Sequence, residues 1–355
     1  MLQGISAVVV NWNGKHYLEE CLAALVQQDP PPDEVILVDN HSDDGSREFA
    51  AERFPAVRIH DTGANLGPAA ARNAGLAAAR HDTVLLLDND VVLQPGALAS
   101  LAACLAADPC AAVVQARSLC ADRPELVHYD AADLHYLGML VLHGWFRPVA
   151  EMRTHAAQVG AFVALCVLCD RRALIAVGGF YERMFILYED NQLSYKLRLA
   201  GRSLWHEPRA LCLHKGGTAG LSVRSPGAAY PARRTFLHTR NRALLVRTCM
   251  SARTLVVTWP ARALYGLVQF AFAIARGHLV AWLRAQWELV RLLPETLRVR
   301  RMVQRGRRVP DRDLLTAAPL SLNPGIATRG SMALVRRGLD AVFIGYWRCF
   351  RRICG

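Results

Sequence analysis

Short apolar runs closed by polar residues set the architecture of the first part of the chain: Ile5 to Val10, Val35 to Val38, Val57 to His60, Val84 to Leu87 and Ala111 to Gln115, with another apolar strand starting at Val163. Such runs read as strands covered on both faces. Helical patterns lie between them. Leu18, Cys21, Leu22 and Leu25 recur at i, i+3, i+4 and i+7, Gly67 to Ala79 is Ala-rich, and Pro95 is placed to open a helix at its first turn. Asp43-Asp44-Gly45-Ser46 reads as a turn that caps the next helix. Further on the pattern predicts a helix over Arg172 to Val177, a helix from Tyr188-Glu189-Asp190 to Ala200 closed by Gly201, and a strand from Arg202 to Trp205. Strand–helix alternation with short links predicts an α/β fold, a mostly parallel sheet with helices on both faces. Ala116 to Gln158 is poorly patterned and rich in His and aromatic residues, among them His128, Tyr129, His135 and Trp145. It reads either as a partly packed loop region or as an insertion whose aromatic faces bind an acceptor.

In such sheets ligands bind beyond the carboxyl ends of the strands. Asn11, Asp39 and the run Asp88-Asn89-Asp90 all stand at that edge. Alternation predicts that Asp88 and Asp90 point the same way, and paired hard oxygens there suit Mg²⁺ or Mn²⁺. Asn11-Trp12-Asn13-Gly14 follows the first strand where a dinucleotide fold would carry G-x-G-x-x-G. No Walker A lysine motif, G-x-S-x-G or zinc-finger spacing occurs. Cys166 and Cys169 have C-x-x-C spacing without a second pair, in a strand-like run that sends neighbours apart. The ten cysteines read as buried small hydrophobes of a reducing compartment, and Met1-Leu-Gln-Gly-Ile lacks the basic region of a signal peptide.

Charge divides the chain. Met1 to Gly220 holds 18 Lys+Arg against 25 Asp+Glu, and Leu221 to Gly355 holds 24 against 5. Leu255 to Ala275 is strongly apolar, but Pro260 and Arg262 make it a poor membrane span. Arg262, Gln269 and Arg276 recur every seven residues, as do Arg284, Arg291 and Arg298, each set predicting one polar stripe on an otherwise apolar helix. That profile fits an interfacial helix on an anionic membrane. Six arginines follow between Arg298 and Arg308, and Gly338 to Arg352 ends in an aromatic–basic helix. The alternative is a helical appendage with solvated arginines. No nucleic-acid-binding module accompanies the charge, so nucleic acid is not an expected partner.

One ordered series of motifs spans Ile5 to Gly217: Val8-Val-Val-Asn-Trp-Asn13, Glu34-Val-Ile-Leu-Val-Asp39-Asn40 with Ser42, Asp44, Gly45 and Ser46, Asn65-Leu-Gly67 with Asn73 and Gly75, Asp88-Asn-Asp90, Gly178-Gly-Phe180 with Glu189-Asp190, and His214. This series resembles the family 2 glycosyltransferases of GT-A fold, especially the rhamnosyltransferase-like branch of bacterial polysaccharide assembly. The resemblance implies a nucleotide-diphospho-sugar transferase fold in which Asp39 contacts the pyrimidine base. It also implies that Asp88 lies by the ribose and diphosphate, that Asp90 and His214 ligate Mn²⁺ or Mg²⁺, and that Asp190 is the catalytic base. Asn11, Asn65 and Arg72 join the donor site, Arg72 reaching toward the diphosphate or else standing solvated on its helix. Tyr181 stands where the family has Asp, and Gln192 where it has a second acid.

The expected function is an inverting transfer of a sugar, rhamnose being one candidate, from a dTDP- or UDP-donor to a lipid-linked or polysaccharide acceptor at the cytoplasmic membrane face. The alternatives are a polyprenyl-phosphate sugar synthase and a catalytically inactive, membrane-attached sugar-nucleotide or glycan binder. The expected layout is a GT-A catalytic domain over 1–222, an amphipathic membrane-associating region over 223–310, and a basic tail with a terminal helix over 311–355.

Overall fold

In a computed structural model the described residues are 4–216, 230–321 and 330–355, with side chains described from 333 onward in the last segment. Gly217 and the expected boundary at Ser222 lie outside them. The chain divides into two compact units: Met1–Ala132, Leu142–Leu197 and Arg202–Thr218 in the first, Asp133–Val141, Arg198–Gly201 and Ala219–Gly355 in the second.

In chain order the elements up to residue 214 are β1 (Ile5–Asn11), α1 (Lys15–Val26), β2 (Glu34–Asp39), α2 (Ser46–Arg53), β3 (Arg58–Asp61), α3 (Gly67–Ala78), β4 (Thr83–Asp88), β5 (Val91–Leu93), α4 (Ala97–Ala107), β6 (Ala111–Cys120) and β7 (Arg123–Tyr129). After them come β8 (Ala132–His135), β9 (Met139–Leu142), β10 (Ala157–Gln158), β11 (Cys166–Asp170), α5 (Arg171–Ala176), α6 (Glu189–Leu199) and β12 (Ser203–His214). The first unit is built on one ten-stranded sheet of order β10-β12-β6-β11-β4-β1-β2-β3, with β5 added on β12 and β7 on β6. The block β4-β1-β2-β3 is parallel, as the sequence pattern predicts. Beyond it β11 runs antiparallel between β4 and β6, and β6 and β12 pair in parallel.

Alternation explains the two-layer covering. In β1, Ala7 and Val9 join a core with Leu18, Cys21, Leu22 and Leu25 of α1 and Leu98 and Leu101 of α4. Val8 and Val10 face the other way, toward Ala69, Ala71 and Leu76 of α3 and Leu193 and Leu197 of α6. Both faces are dry, so the strands read as continuous apolar runs. The same alternation puts Cys166 in one core and Cys169 in the other, so they cannot close on one metal. All ten cysteines are free, and Cys21, Cys104 and Cys212 are buried.

Several local readings change. Pro95 lies just before Gly96, the N-cap of α4, rather than in its first turn. Gly45, in the left-handed region, caps α2 without a side-chain bond, while Asp44 Oδ1 accepts from the N–H of Ser46 one step inside. Residues 116–158 are largely not loop: β6 continues to Cys120, β7 returns against it, and β8 to β10 follow. Short strands, Pro124 and a register shift in the β6–β7 pair hide the period-two signal.

The second unit contains most of β8 and β9, with β13 (Leu315–Thr316) beside β8 in a small sheet. Its helices are α7 (Ala232–Cys249), α8 (Ala252–Val257), α9 (Trp259–Ala275), α10 (Leu279–Arg291), α11 (Leu293–Arg305), α12 (Asp311–Leu314) and α13 (Gly330–Phe350). Among the described residues no helix is long and apolar enough to cross a membrane. The first predicted arginine stripe is corrected: Arg262 turns inward, donating to Leu255 O at 2.6 Å and Thr258 Oγ1 at 3.0 Å, and its burial pushes its pKa down to about 10. The second stripe spans two helices, Arg284 and Arg291 on α10 and Arg298 on α11, because the helix breaks at Leu292 before Pro294. Leu283, Trp287 and Val290 are exposed beside Arg284 and Arg291 on α10.

Candidate active site

The parallel register brings Asn11, Asp39 and Asp61 into one row at the carboxyl edge, with Asp88 ending β4 opposite Val10. Asp39 is fully buried and accepts from Asn11 Nδ2 at 2.8 Å, from Ser42 N at 2.8 Å and from Ser42 Oγ at 2.6 Å. Asn11 Oδ1 in turn accepts from Asn89 Nδ2 at 2.6 Å. Asn11 thus ties Asp39 to the middle of the Asp-Asn-Asp run. A Cβ on Gly14 would lie 1.9 Å from Asn89 Nδ2, which explains the glycine at that position. Asn65, an exposed residue, accepts through Oδ1 from Asn40 Nδ2 at 3.2 Å and Gly67 N at 3.1 Å, shaping the loop ahead of α3.

Strand β4 stops at Asp88, so alternation alone does not align the two acids; Asn89 and Asp90 form a turn into β5. The antiparallel pair β5–β12 sets His214 opposite Val91 and brings His214 Nε2 to 3.0 Å from Asp90 Oδ2. Burial, then the charge on Asp90, raises the pKa of Asp88, against the lowering pull of Arg72 and His214. Arg72 is buried rather than solvated. Its guanidinium bridges Asp88 Oδ1 at 2.7 Å and Glu189 Oε1 at 3.1 Å, from α3 to β4 and α6.

Glu189 and Asp190 open α6. The backbone enters through Phe185, Leu187 and Tyr188, all at positive φ, a cluster of unfavourable conformations of the kind retained at functional sites. Gly67, itself at φ +82, faces this turn so closely that a Cβ would sit 2.6 Å from the Phe185 ring. Burial, then the Asp190 charge, pushes Glu189 up to about 8 despite Arg72. Burial likewise raises Asp190, opposed by Arg72 and by backbone N–H groups including those of Asn191 and Ala164. Desolvation therefore outweighs the helix N-terminus, which would favour both charges. Gln192 and Tyr181 are both buried.

Glu189 gives a pH-dependent stability. Its folded pKa lies above the ordinary 4.5, so its favourable contribution is complete below about pH 4.5 and is lost as pH rises to about 8. Glu189→Gln fixes the neutral form. It is expected to melt with the wild type near pH 5 and about 3 °C or more above it at pH 9. A difference that does not change with pH would contradict this account of Glu189.

Sequence reasoning missed Asn89, Ser42, the Arg72–Glu189 link and His128. His128 lies with its Nδ1 2.6 Å from His214 Nδ1. Only the unexplained His and aromatic content of 116–158 signalled it.

One edge of the ten-stranded sheet thus gathers a row of carboxylates, the Asp90–His214 pair and a helix that opens on two acids. Residues 6–148 match glycosyl transferase family 2. Over 254 residues the chain is 31% identical to an N-acetylglucosaminyl-diphospho-decaprenol L-rhamnosyltransferase of Mycobacterium tuberculosis, covering 65% of this chain and 82% of that protein. The chain belongs to glycosyl transferase family 2. It is also 36% identical over 183 residues to a pre-mycofactocin glycosyltransferase of M. tuberculosis, covering 46% of this chain and 37% of that one. In fold it is similar to a crystal structure of GalNAc-T7 with UDP, GalNAc and Mn²⁺, at TM-score 0.57 and 16% identity, over 74% of this chain and 51% of that one.

Proposed function

We propose that this glycosyltransferase is metal-dependent and inverting. It moves a sugar from a dTDP- or UDP-donor to a lipid-linked or polysaccharide acceptor, with N-acetylglucosaminyl-diphospho-polyprenol as the leading acceptor and rhamnose as the leading sugar. The observation that carries this reading is the Arg72 bridge, which joins the donor-side Asp88 to the acid pair Glu189–Asp190. Asp39, Asn11 and Asn65 serve the nucleotide, and Asp88 the ribose and diphosphate. Arg72, engaged by Asp88 and Glu189, fixes Asp88 instead of reaching the diphosphate itself.

A cation fits beside Asp90. A buried carboxylate and an imidazole nitrogen 3.0 Å apart offer one hard and one borderline donor, a set more apt for Mn²⁺ than Mg²⁺. Among the described residues no group of three or more His, Cys, Asp and Glu is arranged to hold a metal. Substrate phosphate and water would therefore complete the coordination. When bound, the cation offsets negative charge developing on the leaving diphosphate. Asp190 accepts the proton of the acceptor hydroxyl, its basicity raised by burial. Glu189, neutral up to about pH 8, keeps a second negative charge off the reacting hydroxyl. With Asp190 as the base and Glu189 neutral up to about pH 8, the reaction is read as a single displacement. Incubation with a panel of dTDP- and UDP-sugars and N-acetylglucosaminyl-diphospho-polyprenol, with Mn²⁺ or EDTA, tests the reading through nucleoside diphosphate release.

We further propose that the second unit holds the protein peripherally at the cytoplasmic face of the cell membrane. Trp287, Leu283 and Val290 are exposed on α10 between arginines, and Arg298, Arg301 and Arg305 are exposed on α11. Such a face joins apolar insertion to cationic attraction for anionic lipid. The protein should sediment with anionic vesicles and be only partly released by salt, which screens Arg–lipid attraction but not Trp and Leu burial. Protein left in the supernatant at low salt would contradict the membrane reading.

A further inference from the structure

We infer that His128 is the positioning residue that holds the His214 imidazole in the tautomer needed at the cation site. The inference rests on the metal reading of Asp90 and His214.

The backbone aims His128 deliberately. In the antiparallel β6–β7 pair, Tyr129 stands opposite Ser118 and Val127 opposite Leu119. Two residues of β7 therefore span one of β6, and His128 is the extra residue of a bulge. Bulges re-aim a side chain and recur beside active sites. This one delivers His128, 1% exposed, against His214, which arrives on β12 beside Cys120. The two rings lie 4.5 Å apart between centroids, and the two Nδ1 atoms are 2.6 Å apart. Tyr129 at 4.0 Å and Phe146 at 6.0 Å flank the His128 ring and fix its plane.

Two nitrogens at that separation share one proton, one donating and the other accepting. A His214 that offers Nε2 to a cation must carry its proton on Nδ1, and His128 Nδ1 then accepts it. In this structure His214 Nε2 lies 3.0 Å from Asp90 Oδ2, and its Nδ1 lies 2.6 Å from His128 Nδ1. A side chain that only filled space would need no nitrogen at that point.

Two substitutions separate these roles. His128→Phe keeps a flat ring without the nitrogen, and His128→Asn keeps a short polar group that can accept or donate. Mn²⁺ titrated into each protein with UDP or dTDP, followed by electron paramagnetic resonance of free Mn²⁺, should bind about 10–100-fold more weakly to the Phe variant. The Asn variant should stay within about threefold of wild type. In EDTA all three should bind UDP and dTDP alike. Wild-type Mn²⁺ affinity in the Phe variant, or equal weakening in both, would overturn the positioning role alone. No Mn²⁺ binding by the wild type would overturn the metal reading and this inference together. Should the Phe variant not fold, ¹⁵N imidazole spectra of the wild type with Mg²⁺ and UDP or dTDP decide, assigned against His214→Ala. A His214 proton found on Nδ1 supports the inference, and one found on Nε2 overturns it.

Discussion

Asp190→Asn is expected to lower turnover by about 10² or more while nucleoside diphosphate binding stays near wild type. The substitution keeps the shape of the side chain and an oxygen for the N–H of Asn191, which donates to Asp190 Oδ1 at 2.7 Å. What it removes is the proton acceptor whose affinity for a proton burial has raised. Substrate binding does not need that acceptor, so the loss should appear in kcat rather than in KM. Glu189, one residue away, is a poor substitute because it is already protonated up to about pH 8 and is bound by Arg72. Steady-state kinetics with calorimetric nucleotide binding separate the two quantities. Near-normal turnover in Asp190→Asn would move the base elsewhere.

Asp90→Ala and His214→Ala should each weaken Mn²⁺-dependent binding of UDP or dTDP by about 10-fold or more, and leave binding in EDTA almost unchanged. Each removes one of two protein donors 3.0 Å apart. Asp90 should matter more, because it supplies the formal charge and its loss also removes the repulsion that raises Asp88. The two effects should not add, since both residues serve one ion. Calorimetry at several Mn²⁺ concentrations reads them directly. A variant with wild-type metal dependence would exclude its residue from the site.

The fold was legible where burial is symmetric. Ile5 to Val10, Val35 to Val38 and Val84 to Leu87 are apolar on both faces, and a period-two strand between two helical layers leaves that trace. The edge residues Asn11, Asp39 and Asp88 followed from strand ends alone. The β6–β7 hairpin was not legible, because Pro124 interrupts its second strand and its bulge breaks alternation at the very residue, His128, that faces His214. Arg72 read either as a diphosphate contact or as a solvated helix residue, because its two partners lie 16 and 117 residues away along the chain. Ion pairs of that sequence separation leave no local pattern. The arginine repeats of the second part were visible, but a seven-residue spacing does not say which way a helix turns. Arg262 faces inward to backbone and hydroxyl oxygens, and a break at Leu292 divides the other stripe.

The central claim is a metal-dependent single displacement at the edge formed by Asp88, Asp90, His214 and Asp190. The measurement that reaches it most directly is the anomeric configuration of the glycan product, read by NMR after reaction of a productive dTDP- or UDP-sugar with Mn²⁺ and again with EDTA. The account predicts a product of configuration opposite to that of the donor, formed with Mn²⁺ and lost with EDTA. A product of retained configuration, or one formed equally well in EDTA, would contradict it.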